Sequence, residues 1–191
     1  MLSLTELPAG LPVPRDDGLC RHLPGLMLPP ISLASNQGGT VALSALPPGR
    51  IVCFCYPMTG RPGVALPPGW DDIPGARGCT PQACSFRDQI AEFVRLGVLV
   101  FGVSTQSSDY QREMAERLHL SYGVLSDEKL ELANALGLPT FSAGGPALIK
   151  RLTLIVRQGR IEHVLYPVFP TDRSAEQTLD WLKANPIAVS T

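Results

Sequence analysis

The stretch GCTPQACSFRDQIAEFVRLGVLVFGVS, residues 78–104, holds the unit around which the chain folds. Ala83, Phe86, Ile90, Phe93 and Val94 recur on one stripe at helical spacing, which predicts an amphipathic helix from residue 81 onward. Gly97 stands where such a helix ends on a left-handed residue. VLVFGVS, 98–104, then runs apolar without alternation, the pattern of a strand buried on both faces. RIVCFCY, 50–56, carries the same pattern upstream. Two such strands joined by a helix form a right-handed parallel crossover.

Outward from this unit the punctuation continues. ISLASNQGGTVAL, 31–43, reads as strand, Asn-Gln-Gly-Gly turn and strand. Residues 57–78 are crowded with Pro and Gly and have no period, a long loop of the kind that is usually functional or mobile. SDYQREMAERLHL, 108–120, is a helix with Ser108 or Asp109 as N-cap. YGVLSD is a short strand, EKLELANALGL a helix, and 151–167 a hairpin through Gln158-Gly159. SAEQTLDWLKAN, 174–185, closes the chain as a helix capped by Ser174. Strands alternating with helices argue the α/β class, a central mixed sheet flanked by helices on both faces. Residues 1–28 are proline-rich and aperiodic and read as an extended arm before a single domain over 29–186.

A length of 191 residues suffices for one domain with a sizeable core, and 45% hydrophobic with 17% charged residues is a globular balance. A net charge of −1 carries no electrostatic footprint for nucleic acid or an anionic membrane surface. No run approaches the roughly 18 apolar residues of a membrane span. MLSLTELPAGLPVPRDDG lacks the basic-then-apolar order of a secretory signal. The five cysteines, 20, 53, 55, 79 and 84, are odd in number, and a domain of this size has no need of a disulfide framework. A reducing, cytoplasmic compartment follows as the expectation. Thiols close in sequence are there catalytic, redox-sensing or metal-binding.

Thr80 followed by Pro81 is a helix start, a hydroxyl N-cap and then proline at the first helical position. That places Cys79 just outside the helix, facing unpaired amide N–H groups and the positive end of the dipole, which favour thiolate. A thiol at its ordinary pKa of about 8.5 is only a few per cent ionised at neutral pH. Thiolate is the form that attacks the O–O bond of a peroxide or the S–S bond of a disulfide. Cys84 lies off the apolar stripe, on the helix flank. Five helical residues rise about 7.5 Å, whereas a disulfide needs Cα atoms within about 4.4–6.8 Å. A Cys79–Cys84 bridge therefore requires the first turn to unwind. The pair reads either as a nucleophile and a resolving thiol coupled by local unfolding, or as two unrelated free thiols.

The remaining candidates carry blander readings. Cys53 and Cys55 alternate along a buried strand and share a face as small core residues. Cys20 and His22 lack further ligands for a metal and belong to a mobile arm. Arg77 is a solvated loop residue, and Arg87 a structural one. Trp70 either closes over the cysteine or packs its own loop. Arg151 is a solvated strand start or the fixed positive charge that stabilises a departing oxygen.

GCTPQACSFRD resembles the active-site segment of the peroxiredoxins, in particular the bacterioferritin-comigratory or Q-type branch. The resemblance extends over about residues 29–185 and takes in LPPISLASNQGGTVALSAL, the YP that ends the first central strand, YGVLSDEKLELANALGL and KRLTLIVRQGRIEHVLYPV. It implies a thioredoxin fold with an N-terminal β-hairpin extension. It implies that Cys79 is the peroxidatic cysteine, Cys84 the resolving cysteine, and Arg151 the arginine that holds the thiolate and polarises the peroxide. The implied activity is reduction of hydrogen peroxide and organic hydroperoxides with no metal or organic cofactor. A thioredoxin or similar dithiol regenerates the enzyme, which is a monomer or weak dimer. The chain departs from the family pattern at Ala76, three residues before Cys79, where a hydroxyl residue is expected. Thr59, or else Thr80, has to supply that hydroxyl. The competing readings are a disulfide carrier or thiol redox sensor without efficient peroxide turnover, and a metal-binding module, for which the cysteine spacing and a partner histidine are wrong.

Overall fold

The computed structural model describes residues 7–187. In chain order the elements are β1 (Ser32–Ser35), β2 (Thr40–Ala42), β3 (Arg50–Cys55), α1 (Cys79–Asp88), α2 (Ile90–Arg95), β4 (Val98–Ser104), α3 (Ser108–Arg117), β5 (Gly123–Ser126), α4 (Glu131–Leu136), β6 (Thr140–Ser142), β7 (Ala147–Ile149), β8 (Leu152–Arg157), β9 (Arg160–Leu165) and α5 (Ser174–Ala184). Seven strands form one sheet in the order β2-β1-β5-β4-β3-β8-β9, and β6 pairs with β7 separately. β3 is parallel to β4 from Arg50↔Val98 to Cys55↔Val103 and antiparallel to β8 on its other edge. The result is the mixed sheet that the alternating pattern predicts, with the β1–β2 hairpin as its N-terminal extension.

β3 is buried throughout because its side chains alternate between two cores. Cys53 and Cys55 enter one core with Leu132 and Leu136 of α4 and with Leu23 and Leu28 of the N-terminal segment. Val52 and Phe54 enter the other with Phe86 of α1, Met114 of α3 and Leu179 of α5. Phe54 stacks on Phe86 at 4.2 Å, which fixes α1 to the sheet. At the far edge Gln158 and Gly159 both take positive φ, as the two-residue β8–β9 turn requires.

Several expectations change. The described part of the N-terminal arm is not mobile: Cys20 and Leu23 are buried, and Asp17 accepts from Lys150 and Tyr166. Residues 1–6 of that arm lie outside the described residues. The helix after Cys79 breaks at Gln89; Ile90 and Phe93 still face the core, but Val94 is 69% exposed. Leu99 is also exposed, because β5 pairs with β4 only from Phe101 onward. Ser107, one residue before the expected caps, accepts from the Tyr110 N–H and starts α3. The β6–β7 hairpin is short and was not expected from the sequence pattern. It backs the 57–78 loop, which has a small core of its own around Trp70, Ala76 and Leu148.

Candidate active site

α1 begins at Cys79 itself, two residues earlier than Thr80-Pro81 predicts. The cap is Gly78, left-handed at φ +100°, and its carbonyl accepts the Gln82 N–H at 3.0 Å. The left-handed residue ends the loop before a hydroxyl cap can form, so Cys79 is the first helical residue and Thr80 the second. A side chain at the cap would force its neighbours to move: a Cβ on Gly78 would overlap Thr171 Oγ1 and come within 2.7 Å of Leu7 Cδ2. Ser174 likewise is not a cap, because α5 starts on it and its hydroxyl is engaged elsewhere.

Arg151 sits between β7 and β8, is 3% exposed, and points back under the start of α1. Its Nη2 donates to Cys79 Sγ at 3.1 Å and to the carbonyls of Ala76 and Arg77 at 3.1 and 3.2 Å. Nε donates to the Gly75 carbonyl at 3.2 Å, and Nη1 to Gln82 Oε1. Gln82 is fully buried and donates in turn to Ser174 Oγ at 3.1 Å. Among the described residues Arg151 has no carboxylate partner. A buried guanidinium is costly unless paired or fully hydrogen-bonded. Here its surroundings are carbonyl dipoles, one amide and one sulfur, an arrangement that accommodates a negative charge on that sulfur.

Cys79 opens onto a cavity of about 20 Å³ shared with Met58, Thr59, Gly60, Leu66, Trp70 and Thr80. That is room for about one water. The long loop thus leaves and returns, bringing Thr59 back to the cysteine. Thr59 is 1% exposed, and its Oγ1 donates to Gln106 Oε1 at 3.1 Å. Ala76 contributes only its carbonyl, 3.5 Å from Cys79 Sγ. Trp70 does both things expected of it, lining this cavity and packing on Phe141. Arg77 is buried and pairs with Asp71, so it is not the solvated residue expected. Arg87 bonds Asp88 and the Leu118 carbonyl. A larger cleft, about 370 Å³ and lined in part by Ile73, Phe141 and Lys150, lies on the other side of Gly75 and Arg151. Cys79 does not line it.

The other thiols are held neutral. Burial pushes Cys53 and Cys20 up to about 12, and raises Cys55 well above the ordinary thiol value too. Cys84 is half-buried on the flank of α1; burial raises it, with Arg87 opposing. All five cysteines are free, and α1 is unbroken between Cys79 and Cys84. Gln82, Gln106, Tyr110 and Ser174 carry no local signal in the sequence. Gln82 lies one turn past Cys79 in α1, whereas Gln106, Tyr110 and Ser174 reach the site through hydrogen bonds that span 47, 51 and 92 residues.

The redoxin family profile matches residues 23–179. Among characterised relatives, "Peroxiredoxin Bcp" of Escherichia coli (strain K12) is 29% identical over 163 residues, covering 83% of this chain and 94% of that protein. "Peroxiredoxin Q, chloroplastic" of Suaeda salsa is 30% identical over 161 residues, covering 84% of this chain and 67% of that protein. Among solved structures, peroxidoxin BcpB from Mycobacterium tuberculosis superposes with a TM-score of 0.71 at 27% identity, over 87% of this chain and all of that one.

Proposed function

The chain belongs to the redoxin family, with the thioredoxin-like fold of its Bcp and Q-type peroxiredoxins, and we propose that it reduces hydrogen peroxide and organic hydroperoxides through Cys79. Thiol peroxidase chemistry comes with the family. The assignment of residues is our reading of the site, and one observation carries it: Arg151 Nη2 lies 3.1 Å from Cys79 Sγ with no carboxylate partner among the described residues.

The Cys79 thiolate attacks the nearer oxygen of R–O–O–H. The S–O bond forms as the O–O bond breaks, and the electron pair leaves on RO⁻, which Arg151 stabilises until it takes a proton from solvent. Cys79 is now a sulfenic acid. The first turn of α1 then frays, and the Cys84 thiol attacks the sulfenic sulfur and expels water to give the Cys79–Cys84 disulfide. A thioredoxin-like dithiol exchanges with that disulfide and restores both thiols. Thr59 supplies the hydroxyl that Ala76 lacks, and Thr80 lines the same cavity. Cytoplasmic residence and a monomeric or weakly dimeric state belong to the same reading. The small cavity and the alanine at 76 favour the alternative of a disulfide carrier or thiol sensor with poor peroxide turnover.

Stopped-flow consumption of hydroperoxide by wild type, Cys79→Ser and Cys84→Ser separates the two. The peroxidase reading expects no reaction from Cys79→Ser and a single turnover to sulfenic acid from Cys84→Ser. A wild-type protein that reduces protein disulfides but ignores hydroperoxides would establish the carrier instead.

A further inference from the structure

We infer that Gln106 is a positioning residue for the peroxide step, fixing the Thr59 hydroxyl as a hydrogen-bond acceptor in the Cys79 cavity; the inference rests on the peroxidase reading above. The orientation of the Gln106 amide is determined by Thr59 itself. The Thr59 N–H donates to Oε1 at 2.9 Å, and Nε2 donates to the Thr59 carbonyl at 3.1 Å, so flipping the amide would lose both. The same Oε1 lies 3.1 Å from Thr59 Oγ1. An amide oxygen only accepts, so the single hydroxyl proton of Thr59 is committed to Gln106. What Thr59 Oγ1 has left to offer is its acceptor capacity, on a side chain that lines the Cys79 cavity.

Gln106 is itself anchored just beyond β4. Its N–H donates to Ser104 Oγ at 3.3 Å, and its carbonyl accepts from Ser126 Oγ at 2.7 Å. Tyr110 adds a fourth tie, donating to the Thr59 carbonyl at 2.9 Å. The segment around Thr59 is thus clamped to β4 and α3, not to the helix that carries Cys79. That separation allows α1 to fray while the clamp stays in place.

The chemistry gives this arrangement a use. A hydroperoxide carries one O–H proton, and Arg151 offers only donors. The Thr59 oxygen accepts from that O–H and turns the attacked oxygen toward the sulfur. The proton stays on that oxygen as it becomes the sulfenic O–H, so Thr59 orients the substrate without taking part in the proton balance. Without Gln106, the hydroxyl rotates freely, and its proton turns to the thiolate in competition with the substrate.

The test pairs two reactions of Cys79 in the reduced protein: sulfenic acid formation with hydrogen peroxide by stopped flow, and alkylation by iodoacetamide followed by mass spectrometry. Gln106→Leu should slow the peroxide reaction by about 10- to 100-fold, somewhat less than the ~10²–10³ lost with a group that acts directly. Alkylation should stay within twofold, because the atom that iodoacetamide presents to the sulfur is a carbon, with no O–H for Thr59 to orient. The double variant Thr59→Val/Gln106→Leu should be no slower than Thr59→Val alone. Tyr110→Phe, which removes one hydroxyl and is the fallback if Gln106→Leu does not fold, should slow peroxide alone by a few-fold. Equal loss in both reactions, additivity in the double variant, or no loss at all would overturn the inference. A wild-type Cys79 that alkylates but does not react with peroxide would remove the peroxidase reading first, and this one with it.

Discussion

Gly78→Ala tests whether the start of α1 is held by a backbone conformation. The cap residue sits at φ +100° and ψ +19°, where an alanine is strained by about 1–2 kcal/mol. The new methyl would also overlap Thr171 Oγ1 and approach Leu7 Cδ2 to 2.7 Å and Thr171 Cβ to 3.0 Å. Crowding of this kind costs about 1–3 kcal/mol. The sum is roughly 2–5 kcal/mol, and at about 2–4 °C per kcal/mol for a chain of this size the melting temperature should fall by about 4–20 °C. Thr171 makes the steric part separable. Its hydroxyl is buried without a partner, so Thr171→Ala alone should cost little. In the Gly78→Ala background the same change should recover about 1–2 kcal/mol. Urea denaturation of the four proteins, followed by circular dichroism, gives the coupling directly. Oxidised Gly78→Ala should also form the Cys79–Cys84 disulfide faster than wild type, as read by mass spectrometry after one equivalent of peroxide, because the first turn is loosened. Additivity of the two substitutions within about 0.5 kcal/mol, or an unchanged melting temperature, would refute the reasoning.

Two further outcomes follow from the geometry. Arg151→Lys should slow the peroxide reaction by about 10²–10³-fold in stopped flow, because one ammonium cannot span the Gly75, Ala76 and Arg77 carbonyls, Gln82 and the sulfur together; a rate within threefold of wild type would remove the guanidinium from the mechanism. His163 stacks on Trp181 at 4.6 Å, and burial holds its imidazolium below the ordinary value, with Glu162 opposing. The unfolded chain therefore binds the proton first, so this contribution to stability is present above about pH 6.5 and is lost as pH falls through the lowered folded value. His163→Phe keeps the stack and should make the decline in urea-midpoint stability between pH 7 and 5 shallower than in wild type.

The division between chain and fold is visible residue by residue. The apolar runs at 50–56 and 98–104, the helix between them and the Gln158-Gly159 turn are local patterns, and each became the element it predicted. Periodicity also explains where reading along the chain erred. The stripe through Ala83 and Phe86 continues to Ile90 and Phe93 in the same core and fails only at Val94, past the break at Gln89. Thr80 reads as the cap because hydroxyl caps have a sequence signature; the left-handed Gly78, with no free space for a Cβ beside Thr171, has none. The N-terminal segment read as free because it lacks a period, yet Cys20 and Leu23 fill a core that only the sheet creates.

By itself, then, the sequence determined the α/β class, the central strands and the unusual thiol at a helix start, all of which depend on residues within a turn or a strand of one another. The family resemblance pointed to Arg151 and Thr59, but only the tertiary structure decided how Arg151 meets Cys79 across 72 positions, how the long loop returns Thr59 to the same cavity, and that Gln106 and Gln82 bond those two groups. The reason is that backbone periodicity is written in neighbouring residues, whereas a buried polar group takes whichever partner packing brings within about 3 Å.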